Sequence, residues 1–498
     1  MKNNVRINLI SSLIYEGAVM ISGLIVPRLI IANFGSDVNG LVSSVSQFLA
    51  FISLFEGGLG AVVLAALYKP IEEKDYDKIS KIVMSSNRFF RNVGIVFVFY
   101  TIVLSIAYPL IINKEFPLEY TSTLILIISF GTMLQYFFAM TNKLLLQAYQ
   151  KMYIVNIAMT ITTILNLLLF LVIITIYPNI HFIKLGSAVA YLIQPLLFRY
   201  SINKSGLVIN KNKSNVNILT DRWSGFLQNL TTYVAMHTDV LVLTVLATLK
   251  DVSIYSVYML ALTSIRSIMK SVTYSYHTVL GRYIAIGDIN NTTSVYKNYE
   301  KLTWDVSSIL YSTCLLLIIP FVNLYTKGIN DADYYAPLFA LIMTASIFIY
   351  SARESCRLLA LAGGKFKQTN FGSVMEVILN LSISIVLVWN YGLVGVAIGT
   401  FISVLYRLVY LWRYISIDSS MILKYNHFAA CLPSICLFII NIIVYYCFDN
   451  TQINSVTRFI IYGFAIVITE TIMMALLEII FGNKTFVIDV IDRIRKHR

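Results

Sequence analysis

Asp239, Arg266 and Lys270 stand where an ionised group is hardest to keep. The first lies in an apolar run over 226–249, the other two in a run over 252–280, and only Lys250-Asp251 parts the runs. Either run is long enough to cross a bilayer as a helix, which takes about 20 residues. A charge at the bilayer centre costs about 2.5–3.5 kcal/mol on insertion scales, so such groups face a partner or a water-filled cavity. Arg266 and Lys270 are four apart and share one helical face. The stretch predicts a membrane protein with a charged interior.

Other ionisable residues fall in similar settings. Arg353 and Arg357 repeat the four-residue spacing with Glu354 between them. They fit a cavity, an Arg–Glu pair pinning two helices, or basic residues at an inner interface. Arg28 ends the first apolar run, at headgroup level. Glu16, Glu56, Asp239 and Glu376 lie near the middle of apolar runs. A carboxylate in a low-dielectric setting can take up a proton or a sodium ion and so change charge. Asp239 shares a hairpin with Arg266, so its plainer alternative is a permanent salt bridge to that arginine. His237 reads as a packed histidine.

The elements that must hold these groups follow from hydropathy. Of 498 residues 58% are hydrophobic and 13% charged, and mean hydropathy is +0.75, above the range of soluble domains. Apolar runs predict fourteen spans, near 7–33, 38–67, 92–112, 120–146, 153–177, 181–201, 224–249, 252–280, 303–326, 334–361, 371–390, 392–414, 427–448 and 458–481. No polar segment is long enough for a soluble domain, and the first run lacks the cleavage site of a removable signal. The net charge of +13 is an orientation signal, not a nucleic-acid footprint. Of 38 Lys and Arg, only Arg28, Lys114, Lys184, Lys250, Lys327 and Arg458 fall in the connections on one side, and Arg266 and Lys270 lie in the membrane. The rest crowd the other side, which predicts an even number of spans and both termini in the cytoplasm. The five cysteines lie in apolar runs without a Cys-x-x-Cys pair, and they read as packing residues.

An internal repeat organises the chain. Asp37-Val38 recurs as Asp251-Val252, Ile164-Leu165-Asn166-Leu167 as Ile378-Leu379-Asn380-Leu381, and Arg199-Tyr200 as Arg413-Tyr414, each at an offset of 214. Six spans separate equivalent points, so the halves run parallel, as in transporters built from two matching bundles. The expected organisation is an N-terminal six-helix lobe over 1–205, a second over 215–420, and two further spans with a tail over 425–498. The tail alternates apolar and basic residues, which suits a short amphipathic helix on anionic headgroups or a solvated end.

Several stretches resemble a known family. Pro27, Phe34-Gly35 and Gly40 are similar to the first hairpin of polysaccharide flippases. Thr238-Asp239-Val240-Leu241-Val242-Leu243, leading to Val252-Ser253-Ile254-Tyr255-Ser256-Val257-Tyr258, resembles the hairpin of their second half. Tyr68-Lys69-Pro70, Asp75-Tyr76 and Phe89-Phe90-Arg91 resemble capsule and exopolysaccharide members from Gram-positive bacteria. These are Wzx-type lipid-linked oligosaccharide flippases of the MATE-like MOP superfamily. The chain departs from them at Ala247-Thr248-Leu249, where Leu-Gly is usual, and at Ser253, where glycine is common.

The resemblance implies an all-α MATE-like fold in the bacterial cytoplasmic membrane. It also implies a substrate, undecaprenyl pyrophosphate carrying an oligosaccharide, moved by alternating access. A pyrophosphate crossing low dielectric needs buried cations, arginine offering a fork of donors and lysine a point charge. That role falls to Arg266, Lys270, Arg353, Arg357 and Arg28. Coupling to H+ or Na+ falls to Asp239, Glu16, Glu56 and Glu376. Gln47, Gln228, Asn229, Asn166 and Asn380 are candidates for sugar hydroxyls, or for bonds between helices. Expected partners are membrane lipids and, beyond them, a polysaccharide polymerase and assembly proteins, with no nucleic acid. A monomer without a cofactor is expected. No Gly-x4-Gly-Lys-Ser/Thr loop occurs, so an ion gradient, the membrane potential or the substrate gradient is expected to drive the cycle. The rivals are a multidrug or small-molecule exporter of the same fold, which would favour an acidic cavity, and a membrane polymerase or ligase. The latter needs a sizeable outer segment, and the outer connections are short.

Overall fold

The structure, a computed structural model, describes the chain except residues 1, 54–58, 113–114, 205–222, 418–421, 424–425, 448–452 and 483–498. Side chains at 2–5, 59, 61, 223–230, 232, 235–236, 270–275, 277–278 and 366–367 are likewise outside the description. Backbone N–H and C=O groups in lipid must bond within their own segment, so the apolar runs become helices. In order these are α1 (Lys2–Phe34), α2 (Ser36–Ala50), α3 (Leu59–Glu72), α4 (Tyr76–Ile111) and α5 (Leu118–Leu134). A π turn (Gln135–Ala139) leads into α6 (Met140–Ala148), followed by α7 (Met152–Ile176), α8 (Ile180–Ala190) and α9 (Ile193–Lys204). The second half has α10 (Trp223–Leu246), α11 (Leu249–Ile286), α12 (Ile289–Tyr325), α13 (Pro337–Ala352), α14 (Glu354–Ala362) and α15 (Phe366–Ile417). α16 (His427–Cys447) and α17 (Val456–Ile480) close the chain.

Among the described residues, 11 helices are long and apolar enough to cross a membrane. The 52 residues of α15 are too many for one crossing. Gly392, at φ 51 and ψ −127, turns the chain back. Beyond it the arms run antiparallel and close: a Cβ on Gly395 would lie 2.5 Å from the Leu387 carbonyl carbon, and Asn380 Nδ2 reaches Thr400 Oγ1 at 2.9 Å. α15 is therefore the two spans expected over 371–390 and 392–414. With α2 and α3, α5 and α6, α8 and α9, and α13 and α14 each making one crossing, the helices follow the fourteen expected spans.

The chain packs as two compact units, Met1–Tyr233 with Thr248–Ser253, and Val234–Ala247 with Ile254–Arg498. Repeated local structure ties the units to one ancestral plan. Gln150 (φ 58) and Gly364 (φ 68) are left-handed residues of matching turns. In one turn Lys151 N donates to Leu146 O at 2.9 Å, and in the other Lys365 N donates to Ala360 O at 2.9 Å. All these positions keep the offset of 214. The C-terminal tail and Glu56 lie outside the described residues.

In the first unit, Leu41, Val45, Phe97, Leu124, Ile125 and Val155 are fully enclosed. The segment Thr248–Ser253 packs on the first turns of α2. Asn39 Nδ2 donates to Ser253 Oγ at 2.8 Å, and Lys250 Nζ lies 3.8 Å from Asp37 Oδ2. Asn39 and Ser253 are themselves repeat equivalents, so a polar pair stands where like meets like. Gly40 makes the seat: a Cβ there would fall on the Leu249 carbonyl oxygen, and a backbone oxygen cannot swing aside. Gly40→Val is expected to cost about 1–3 kcal/mol by overpacking, read as a lower unfolding midpoint in detergent.

The second unit is built on α12, the most enclosed of the described spans. Trp304 meets Phe348 edge-on at 5.6 Å, and Phe348 stacks on Phe438 of α16 at 4.6 Å. This aromatic layer brings α13, α15 and the last helices around α12, and so positions the groups described next.

Candidate functional site

Two charged centres lie in the second unit, and they differ in kind. The first is Asp239 on α10, 3% exposed. Its carboxylate accepts from Tyr255 Oη at 3.0 Å and lies 2.9 and 3.0 Å from Thr400 Oγ1. Asn380 Nδ2 is 3.4 Å away. Thr238 Oγ1 donates to Asn380 Oδ1 at 2.8 Å, which fixes the amide with its nitrogen towards the acid. The single Thr400 hydroxyl proton is shared among Asp239 and the Val396 carbonyl, 3.2 Å off. Among the described residues no cation pairs with Asp239, so the salt bridge to Arg266 does not form. An ionised carboxylate held only by neutral donors is left without a counter-charge in a buried place. Carboxylate, hydroxyl and carbonyl oxygens are the ligand types that suit a proton or a small hard cation.

The second centre is cationic. Arg266 on α11 is half-buried and lies 5.6 Å from the Tyr350 ring centroid. Arg353 approaches the same ring at 4.6 Å, both as cation–π contacts. Arg266 has no carboxylate within ion-pair distance among the described residues. Arg353 does: its Nη2 donates to Glu376 Oε1 at 2.6 Å. Arg407 Nε lies 3.8 Å from Glu376 Oε2 and its Nη1 donates to the Thr369 carbonyl at 2.8 Å. Arg357 grips Glu354 through Nε at 2.9 Å and Nη2 at 2.7 Å, a neighbour three residues back on the same helical face.

These pairings correct three expectations. Arg353 and Arg357 are each held by an acid, so their first role is structural. Glu376 does not stand alone but is shared by two guanidiniums. The cost of breaking each pair follows its burial. Arg353→Ala leaves a buried carboxylate short of its main partner and is expected to cost about 3–5 kcal/mol. Arg357, 36% exposed at its side chain, is expected to cost under about 1 kcal/mol when replaced by alanine. Unfolding midpoints of the two variants in detergent would test the contrast.

The remaining expected residues scatter. Lys270 is on α11 below Arg266, and Gln228 and Asn229 are on α10, with side chains outside the description. Arg28 is half-buried and Glu16 exposed on α1, and Gln47 is half-buried on α2. Asn166 lines a cavity of the first unit, whereas Asn380 belongs to the Asp239 centre.

A third group escaped sequence reasoning. On α12 Glu300 accepts from Tyr296 Oη at 3.1 Å and Trp412 Nε1 at 3.3 Å, and His427 Nδ1 lies 3.0 Å from both its oxygens. Next to it Lys301 pairs with Glu478 of α17, and Ser434 Oγ donates to Asp305 Oδ1 at 2.7 Å. Glu300, Lys301 and Asp305 could have been flagged by their spacing at the head of an apolar run. Their partners, more than a hundred residues on, leave no local trace.

By sequence the chain matches no family model and no curated protein. Solved structures do match. A lipid II flippase, MurJ, in an inward closed conformation is 16% identical with a TM-score of 0.68, covering 93% of this chain and 98% of that one. An inward-facing multidrug resistance MATE family transporter of the MOP superfamily is 13% identical with a TM-score of 0.63, over 80% and 95%. An outward-facing one is 15% identical with a TM-score of 0.54, over 82% and 96%. At these identities the likeness shows the fold: the chain has the all-helical, multi-pass membrane fold that MurJ and the MATE transporters share.

Proposed function

We propose that the protein is a flippase that carries undecaprenyl-pyrophosphate-linked oligosaccharide, a capsule or exopolysaccharide repeat unit, across a bacterial cytoplasmic membrane by alternating access. The observation that carries this reading is Arg266. It is a half-buried guanidinium with, among the described residues, no carboxylate within ion-pair distance, and it lies over the Tyr350 ring in a setting where an unpaired charge is expensive. Around it stand Arg353, Arg357 and Arg407 against Glu354 and Glu376, so the local balance is positive and favours an anion. A pyrophosphate supplies that charge, and an arginine fork can hold two of its oxygens. The polyprenyl tail would stay in lipid.

Asp239 is the group we assign to coupling. Its cage of neutral oxygens and one amide can hold a proton or Na+ and would release it when the helices carrying Tyr255 and Thr400 shift. Among the fold neighbours, a lipid II flippase acts on a lipid-linked substrate, which agrees with this reading. The MATE neighbours favour a second one, export of small molecules. A cationic drug would meet repulsion at Arg266, so the two readings differ in the charge of what is carried. The test is reconstitution in liposomes with a fluorescent lipid-pyrophosphate oligosaccharide on one leaflet. Translocation by the protein is the expected result. No movement of any lipid-linked sugar, with uptake of a cationic dye, would replace this reading by the second.

A further inference from the structure

The first unit contains a cavity of about 380 Å³ with a mixed apolar and polar lining, the polar part including Ser46, Ser53, Gln135, Asn166, Lys184 and Tyr191. It lies within α2, α5 and its π turn, α7 and α8. Its size falls in the range of small-molecule sites, about 300–1,000 Å³. Lys184 was expected in an outer connection, but it sits in the second turn of α8 and lines this cavity. Among the described residues it forms no ion pair and no hydrogen bond. An ammonium group in such a place without a counter-ion is costly. A nearby polar group is equally unsatisfied: Asn166 Oδ1 is buried with no hydrogen-bond partner. Buried polar atoms are nearly always bonded, so an orphan beside a cavity, next to an unpaired lysine, points to something that fills it.

Two further features fit a built site. The π turn Gln135–Ala139 interrupts the helix where Gln135 meets the cavity, and such turns gather at functional positions. Gly131 lets the Tyr191 ring close on the opposite wall, since a Cβ there would come within 2.8 Å of it. The repeat adds a comparison of charge. Asn166 is the equivalent of Asn380, offset by 214, and Asn380 in its own unit serves a lone carboxylate. One asparagine thus stands beside an acid without a cation, the other beside a lysine without an anion.

We propose that the cavity binds an acidic sugar ring, a hexuronate or a sugar phosphate monoester, carried by the transported glycan. Lys184 pairs with the carboxylate or phosphate, and Asn166, Gln135 and the serines hydrogen-bond the ring hydroxyls. The void is too large for a small inorganic anion to satisfy all of these groups at once. That the sugar arrives on a lipid carrier rests on the flippase reading; the binding chemistry does not.

The test is calorimetric binding to the purified full chain in detergent with glucuronate, N-acetylglucosamine 1-phosphate and N-acetylglucosamine as probes. Wild type and Lys184→Arg are expected to bind one or both acidic probes, and Lys184→Gln at least tenfold more weakly. The neutral sugar is expected to bind weakly and equally to all three. Gly131→Ala, which pushes Tyr191 into the void, is expected to weaken the acidic probes without removing the charge. Unfolding midpoints check that Lys184→Gln is folded, and Lys184→Met serves if it is not. No acidic probe bound by wild type, equal binding to Lys184→Gln, or neutral sugar bound as tightly as acidic would each overturn the proposal. Binding needs no transport, so its failure leaves the flippase reading standing. Intact acidic-sugar binding with no translocation would sink the flippase reading alone.

Discussion

Arg266→Ala is expected to slow translocation of a lipid-pyrophosphate oligosaccharide, the proposed substrate, by about 100-fold in proteoliposomes. A hydrogen bond to a charged group contributes about 1.5–3 kcal/mol, and about 1.4 kcal/mol is a factor of ten. The upper end applies because the group is half-buried and its phosphate partner would have few other cations to turn to. Arg266→Lys keeps the charge but loses the planar fork, and an intermediate loss of about tenfold is expected by the same scale. Neither variant should unfold, since among the described residues Arg266 has no ion pair to break and its close contact is with the Tyr350 ring. Arg357→Ala removes one charge of the same cluster and frees Glu354, so a fall in rate smaller than that of Arg266→Ala is expected. Equal initial rates for wild type and Arg266→Ala, at matched incorporation, would remove the proposed anion site.

How much of this could be read from sequence depends on the range of the signal. Spans were legible because lipid demands long apolar runs, and the fold-back inside α15 was legible as the break between the runs over 371–390 and 392–414. The repeat was legible from Ile164-Leu165-Asn166-Leu167 and its copy, and the matching turns at Gln150 and Gly364 show why: equal sequence positions make equal local structure. An Arg–Glu pair at Glu354 was legible only as one alternative and as a bond between helices, whereas Glu354 and Arg357 pair within one helix. Glu376 with Arg353 was not legible, because 23 residues and a helix turn separate them and only packing decides which side chains meet. His427 with Glu300, 127 apart, is the extreme case. Lys184 was misplaced for another reason: a lysine near a span end reads as a solvated connection, and sequence does not say that a cavity lies beneath it.

Asp239→Asn is the second large effect, and it separates coupling from structure. Asparagine has nearly the shape of aspartate, so Tyr255 and Thr400 can keep their places against an amide oxygen. What is lost is the charge, and with it any reason for a proton or sodium ion to reside there. A ligand that binds only the folded state stabilises it by about 2.7 kcal/mol at a hundred times its dissociation constant. The wild-type unfolding midpoint should therefore rise with added sodium at constant ionic strength, or with falling pH, according to which ion the site takes. In Asp239→Asn that dependence should vanish. At low sodium and neutral pH the variant should be no less stable than wild type, because an uncompensated buried charge has gone. Gradient-driven translocation should fall by about tenfold or more, the variant approaching the rate seen without a gradient, since about 1.4 kcal/mol of lost coupling already gives that factor. A midpoint in wild type that ignores both sodium and pH would show that Asp239 binds neither ion. Coupling would then have to be sought at the other buried carboxylates, Glu300 with His427 or Asp305 beside Glu478, where a basic side chain already stands close by.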